Sequence, residues 1–439
     1  MTEPLNRTIL SVLPLFAGVA LLVIGHGLQT TLLPLRASAE GLSSSSVGFL
    51  MSAYYVGFAA GCVFVPRVVR RIGHIRTFAT FAAIGAAIAL AHGLYVNPIL
   101  WGALRAFTGF CFAGLFMVIE SWLNERVVDE NRGRMNSVYR VVDLLALTGG
   151  QALIAIAPIG GFEAFMYVSI AISLALVPIT LSASSAPAPI AAARLPLMAL
   201  IRASPVGVVG CLAIGLSNGA FWSLGPLFAA GEGRGESFVA AFMGISVIGG
   251  AIAAYPIGLL SDRTDRRRVI AGALFASTIM AVLLVLAELY MHDALLPLVA
   301  LYGAAMLPLY SLCVAHTSDR LAAGQFVYAS RGLLLVFAGG ASLGPSAAAG
   351  LIQVLGESAL FGYAAAVYGM AGLFTLYRIL RRDAAPSTES VGYAGLTGTT
   401  PSAFAAEASG GPPVEILPPD NLTGQNDDDT IEPDEPSRW

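Results

Sequence analysis

The sequence predicts an all-α membrane protein with twelve transmembrane helices in two pseudo-symmetric bundles of six. Three observations lead there. Of 439 residues, 56% are hydrophobic and only 12% charged, against roughly a quarter charged in a soluble domain, so the chain carries more apolar surface than a water-facing fold can hide. Twelve apolar runs recur, each near the ~20 residues that cross about 30 Å of hydrocarbon as a helix. The halves also repeat: an offset of 192 residues superposes Met51 on Met243, Gly57 on Gly249, Ala59 on Ala251 and Arg71 on Arg263, and one of 189 superposes Val138-Tyr139 on Val327-Tyr328 and Gly150 on Gly339.

The runs lie near 9–33, 45–66, 76–96, 98–121, 136–158, 163–181, 205–229, 237–260, 269–290, 294–316, 323–352 and 358–379. The first has no cleavable small-x-small site after Arg7, so it counts as a helix and not a leader. Small-xxx-small spacings at Gly57/Gly61 and Gly340/Gly344 predict close helix packing seams. Residues 1–181 form the first bundle, and 182–204 the linker, opening on the Ser/Ala/Pro stretch Ser182 to Pro189. Residues 205–382 form the second bundle, and 383–439 an acidic tail too polar to bury its own core, expected to be disordered.

All 24 basic residues are arginine. Without lysine there is no Walker-A phosphate loop and no Schiff-base chemistry, which removes pumping by nucleotide hydrolysis within this chain. The arginines crowd the loops on one side, with only Arg36 and Arg234 on the other, which predicts both termini in the cytoplasm. The sequons at Asn6 and Asn421 then face the cytoplasm. Cys62, Cys111, Cys211 and Cys313 all fall inside spans, as buried small residues, and neither they nor the histidines show metal-ligand spacing. No cofactor, metal or catalytic residue is expected.

Gly258-Leu-Leu-Ser-Asp262-Arg263-Thr-Asp265-Arg266-Arg267 resembles the signature that the major facilitator superfamily carries between helices 2 and 3 and again between 8 and 9. Arg105-Ala-Phe-Thr-Gly109, followed by Gly114, is similar to that superfamily's fourth-helix signature. Arg71-Ile-Gly73-His74, Glu120-Ser-Trp-Leu-Asn124, Asn131-Arg-Gly-Arg134 with Tyr139, and Leu343-Gly-Pro345 resemble a bacterial branch whose substrates are poorly defined. The resemblance covers residues 9–380. It implies the major facilitator fold, alternating access and gating loops made here of Arg70, Arg71, Gly73, Gly258, Asp262, Arg263 and Arg266. Arg70 stands where the signature has Asp, and Asp265 where its second copy has Gly. The antiporter signature of helix 5 is not reproduced at Gly149-Gly150-Gln151, which makes drug/proton antiport the less favoured mode.

Ionisable side chains in membrane helices are costly unless paired or facing water, so each is a functional candidate. The resemblance implies a coupling role for Arg105; the alternative is that it snorkels or donates to carbonyls of helix 1. Glu120, and Arg140 with Asp143 three residues on, complete the coupling set; the last two share a helix face and permit an ion pair or a network with Glu120. His26 with Gln29, Asn218 with Trp222 one turn away, Tyr310 and Arg331 are the cavity candidates beside Arg105. Tyr54, Tyr55 and Tyr302 are further hydrogen-bonding candidates, with packing as the alternative for each. Arg331 in the same cavity as Arg105 would favour an anionic solute; bound to a loop it would be structural.

The function these features predict is secondary transport of a small organic solute, proton-coupled, with a passive facilitator or a non-transporting solute sensor as alternatives and an embedded enzyme as the weakest class. The expected partners are that solute, protons and the bilayer, with no nucleic acid, for a monomer.

Overall fold

The computed structural model describes residues 5–126, 132–181, 197–321 and 326–381, with side chains placed for 13–123, 138–180, 197–321 and 329–381. The tail at 383–439, its sequon and the Ser182 to Pro189 stretch lie outside the described residues. The helices are α1 (Leu5–Ala39), α2 (Ser44–Ile72), α3 (His74–Leu94), α4 (Pro98–Arg126), α5 (Arg132–Ala152), α6 (Glu163–Leu174), α7 (Leu176–Leu181), α8 (Leu197–Ala203), α9 (Pro205–Ala230), α10 (Glu236–Arg263), α11 (Arg266–Tyr290), α12 (Leu295–Met306), α13 (Leu309–Ser318), α14 (Phe326–Leu355) and α15 (Ala359–Arg381). Among the described residues, twelve spans are long and apolar enough to cross a membrane, and helices are what hydrocarbon permits, because each satisfies its own backbone polar groups.

Two spans are broken where the sequence shows a single run. The sixth is α6 and α7, parted at Ala175, and the tenth is α12 and α13, parted at Leu307 and Pro308. Pro178 and Pro308 explain both breaks, because each lacks the N–H that would bond four residues back. The linker also holds a helix: α8 buries Leu200 against Gly332 of α14, and Ser204 accepts a hydrogen bond from Thr317 at 3.0 Å.

Helix pairs recur six spans apart. α2 packs on α4 so closely that a Cβ on Gly57 would lie 1.8 Å from the Ala106 carbonyl, and one on Gly109 would lie 1.9 Å from that of Tyr54. α10 repeats this on α12, with Gly249 2.1 Å from the Ala300 carbonyl and Gly303 2.0 Å from that of Ser246. α1 with α5 likewise corresponds to α9 with α14, and α3 with α6 to α11 with α15. The expected Gly57/Gly61 and Gly340/Gly344 seams are among these contacts, against α4 and α9. This is two six-helix bundles related by pseudo-symmetry.

The bundles meet mainly through α2 with α14 and α5 with α10. Ser52 and Ser346 share a 2.9 Å hydrogen bond, Ser45 donates to Gln353, and Gly48 lies under Ala349. These contacts run from mid-membrane toward the end of the molecule that carries Gly41, Gly233 and Gly356, here called the Gly41 end. The opposite, Gly73 end carries most of the described arginines, including Arg70, Arg71, Arg263 and Arg266.

The expected gating loops are mostly helix. Arg70 and Arg71 are in the last turn of α2, Gly258, Asp262 and Arg263 belong to α10, and Arg266 opens α11. Only Gly73 of that set lies between helices, and its φ of +82° turns the chain from α2 to α3 in a single residue. The second half makes the same turn with Thr264 and Asp265 in extended backbone, and the Asp265 side chain caps α11 by accepting from the Arg267 amide. Aspartate at the signature's glycine position is thus a helix cap.

Candidate functional site

Midway between the bundles, a cavity of about 50 Å³ draws its walls from both. α1 supplies His26 and Thr30, α2 supplies Tyr54, Tyr55 and Phe58, α4 supplies Arg105, and α5 supplies Gln151. The second bundle contributes Trp222 and Ser223 from α9 and Phe337 from α14. Arg105 lies seven residues into α4, roughly 10 Å along it, which sets it well inside the hydrocarbon.

Arg105 neither snorkels nor donates to α1 carbonyls. It is 1% exposed, its guanidinium carbon sits 4.5 Å from the Tyr54 ring centroid, and Nε, Nη1 and Nη2 have no hydrogen-bond partner. The stacking is a cation–π contact, worth about 2 kcal/mol or more when desolvated, and it leaves the N–H groups unsatisfied. Other polar atoms of the wall are in the same condition, His26 Nδ1, the Tyr54 hydroxyl and Gln151 Oε1; both amide atoms of Gln29 are too, but that residue is buried outside the cavity wall. A buried polar group without a partner costs about 1–3 kcal/mol, so such a concentration points to a polar occupant. His26 is held by aromatic rings, 4.5 Å from Phe112 and 5.6 Å from Tyr54, and Thr30 donates back to the His26 carbonyl at 3.0 Å.

Other sequence candidates sit elsewhere. Trp222 faces the cavity, whereas Asn218, one turn before it, accepts a hydrogen bond from Tyr368 of α15 and does not line the cavity. The shared face expected of the two therefore splits, with the amide committed to packing inside the second bundle. Tyr310 is buried against Phe337, ring centroids 5.7 Å apart, and Tyr302 packs in an aromatic cluster with Phe221 and Phe361. Arg331, half-buried and partnered, is not in the cavity wall with Arg105. Arg140 lays its guanidinium over Tyr139 at 5.1 Å. Asp143 and Glu120 are both buried and both partnered.

Gln151, Ser223 and Phe337 were not sequence candidates. Gln151 carried a signal, an amide inside a membrane span; Ser223 and Phe337 carried none, because they join the site only through the packing of one bundle on the other.

At the Gly73 end, Arg266 pairs with Asp262 at 2.9 Å and with Asp319 at 3.0 Å, so it ties the ends of α10, α11 and α13 together. The second bundle supplies all three. Burial opposes ionisation of Asp265, but hydrogen bonds and charge from Arg267 override it and hold the carboxyl below its ordinary value.

A sequence model described as the Major Facilitator Superfamily matches residues 15–339. The chain is 28% identical over 352 residues, 80% of its length and 91% of the relative's, to the uncharacterized MFS-type transporter YcaD of Escherichia fergusonii. Among solved structures it is similar to the nucleoside transporter NupG, with a TM-score of 0.70 at 12% identity over 85% of this chain and 100% of that one. It is similar also to the Escherichia coli fucose:proton symporter FucP, with a TM-score of 0.55 at 14% identity over 84% and 99%. Paired bundles, a cavity walled by both and a family match over most of the chain agree: this multi-pass membrane protein belongs to the Major Facilitator Superfamily.

Proposed function

We propose that this protein carries a small organic solute across the bacterial inner membrane by alternating access, with residues 1–181 rocking against residues 205–382 about the central cavity, and that protons move with the solute. One observation carries the reading: a cavity whose walls come from both bundles holds the buried Arg105 guanidinium, with the partnerless polar atoms of His26, Tyr54 and Gln151 in the same wall. A site so divided is exposed to one side or the other as the bundles tilt. The arginines at the Gly73 end support a cytoplasmic location for that end and for both termini.

In this reading His26, Gln29, Arg105 and Trp222 meet the solute. Glu120, Asp143 and Arg140 carry the coupling from α4 and α5, since a buried carboxylate exchanges its proton only when its surroundings change. Asp262, Arg263 and Arg266 with Arg70, Arg71 and Gly73 control the Gly73 end. FucP, whose fold is similar, is a fucose:proton symporter.

Counterflow of labelled solutes into proteoliposomes, with and without a pH gradient, tests the reading. Accumulation that an imposed gradient drives uphill supports coupled transport; accumulation indifferent to the gradient marks a facilitator. Absence of counterflow for every class of solute, in protein that binds solute, would mark a sensor.

A further inference from the structure

We infer that the solute is an organic monoanion whose carboxylate pairs with Arg105. The inference rests on the reading of the central cavity as the solute site and names the chemistry of its occupant.

Among the described residues Arg105 is the one fixed charge in the cavity wall, and no Asp or Glu stands in that wall with it. Its described electrostatic neighbours are Tyr54, Tyr55, His26 and His92, none of them a carboxylate. A guanidinium stays charged in proteins, so a desolvated one requires a counter-ion. Glu120 stands fifteen residues along the same helix, roughly 22 Å away at 1.5 Å per residue, and neither it nor the buried Asp143 of α5 is among the described groups whose charge acts on Arg105. The missing negative charge must then arrive with the solute. A carboxylate suits the vacant fork, which offers two parallel N–H bonds at fixed spacing.

One arginine sets the charge at one. Tyr55, Phe58, Trp222 and Phe337 supply an apolar wall around it, which favours an organic body behind the head group over an inorganic ion. At about 50 Å³, the cavity in this conformation holds a head group and little else, since a water molecule's share of the liquid is about 30 Å³. The solute is accordingly small, or its body waits for the bundles to part.

Equilibrium binding to the full chain in detergent tests this apart from transport. The probes are radiolabelled acetate, propionate and benzoate, their amides acetamide, propionamide and benzamide, benzylammonium, chloride and inorganic phosphate. At least one carboxylate should bind about tenfold or more tightly than its amide, the least expected of a charge-assisted bidentate contact. Arg105→Gln should erase that preference, and Arg105→Lys, which keeps the charge but not the fork, should restore it only in part. Should Arg105→Gln fail to fold, the lysine variant and Tyr54→Leu, which removes the ring beneath the guanidinium, carry the test.

Equal binding of amide and carboxylate, preference for benzylammonium, binding of chloride or phosphate as tight as any carboxylate, or no carboxylate binding would each overturn the inference. Counterflow of a neutral solute would leave the transport reading standing without it. Arg105-dependent carboxylate binding without counterflow would do the reverse.

Discussion

Ser52 of α2 and Ser346 of α14, 294 residues apart, share a hydrogen bond between their hydroxyls at 2.9 Å, and the Ser346 amide also donates to Ser52 Oγ at 3.2 Å. About two turns nearer the Gly41 end, Ser45 and Gln353 repeat the contact. Together they fasten one bundle to the other above the cavity.

If the bundles part along this line during transport, Ser45→Cys with Gln353→Cys should arrest the cycle when bridged. The native Cys111, Cys211 and Cys313 are buried and Cys62 is half-buried, so a bifunctional thiol reagent will find the introduced pair first. Counterflow should fall to background on cross-linking and return after reductive cleavage of the bridge. Undiminished flux in fully bridged protein would show that the two helices never separate there.

Asp262→Ala should slow transport without impairing insertion. Arg266 retains Asp319 in that variant, so the ends of α11 and α13 stay tied while α10 is released. Arg266 is buried and Asp262 half-buried, so losing the pair should cost at least the ~1 kcal/mol of an exposed one, a change of about fivefold or more in the balance of two states. Initial rates in proteoliposomes, normalised to reconstituted protein, measure the effect, and wild-type turnover would remove Asp262 from gating.

The seam between α2 and α4 should be intolerant of a single methyl group. Gly57→Ala forces a carbon toward the Ala106 carbonyl, with 1.8 Å between them before relaxation, and overpacking of this kind costs about 1–3 kcal/mol. Gly339→Ala in α14 meets nothing within 4 Å and should gain helix propensity of about 1 kcal/mol instead. Thermal unfolding in detergent should therefore separate the two, lower for the first variant and unchanged or higher for the second.

Glu357 gives stability a pH slope. Its partial burial, then the charge of Glu288, raise its carboxyl above the ordinary value, against an opposing pull from Arg234. A raised folded-state value favours the neutral form, so this contribution is fully present below the ordinary carboxylate range, about pH 4.3, and is lost as pH climbs through the raised value. Glu357→Gln should flatten that part of the profile and raise the midpoint at neutral pH relative to the parent. An unaltered slope would assign the pH dependence to another group.

The twelve spans were legible because hydrocarbon imposes one length and one periodicity on whatever crosses it, and the written ranges fall within a few residues of the helices except where Pro178 and Pro308 break them. Arg105 was legible for a similar reason, since a charge in lipid is conspicuous in any register. Its partner was not: nothing in the order of residues says that Tyr54 lies beneath the guanidinium, because that depends on the rotation of α2 against α4. The same limit misplaced Asn218, which spacing alone put beside Trp222 and which α15 draws away through Tyr368. The turn at Gly73 was visible as a glycine, but the equivalent role of Asp265 required its side chain to be seen capping α11.

Backbone touches backbone at Gly57, Gly109, Gly249 and Gly303, with no layer of side chains between the helices to act as a cushion. Compliance within such a pair is low, and deformation has to concentrate where the two bundles meet through serine hydroxyls and exchangeable side chains. A pair of spectroscopic labels placed on two helices of one bundle should then hold a constant separation through the whole cycle and serve as a length standard. A pair divided between the bundles becomes the gauge read against it, so the molecule carries its own calibration.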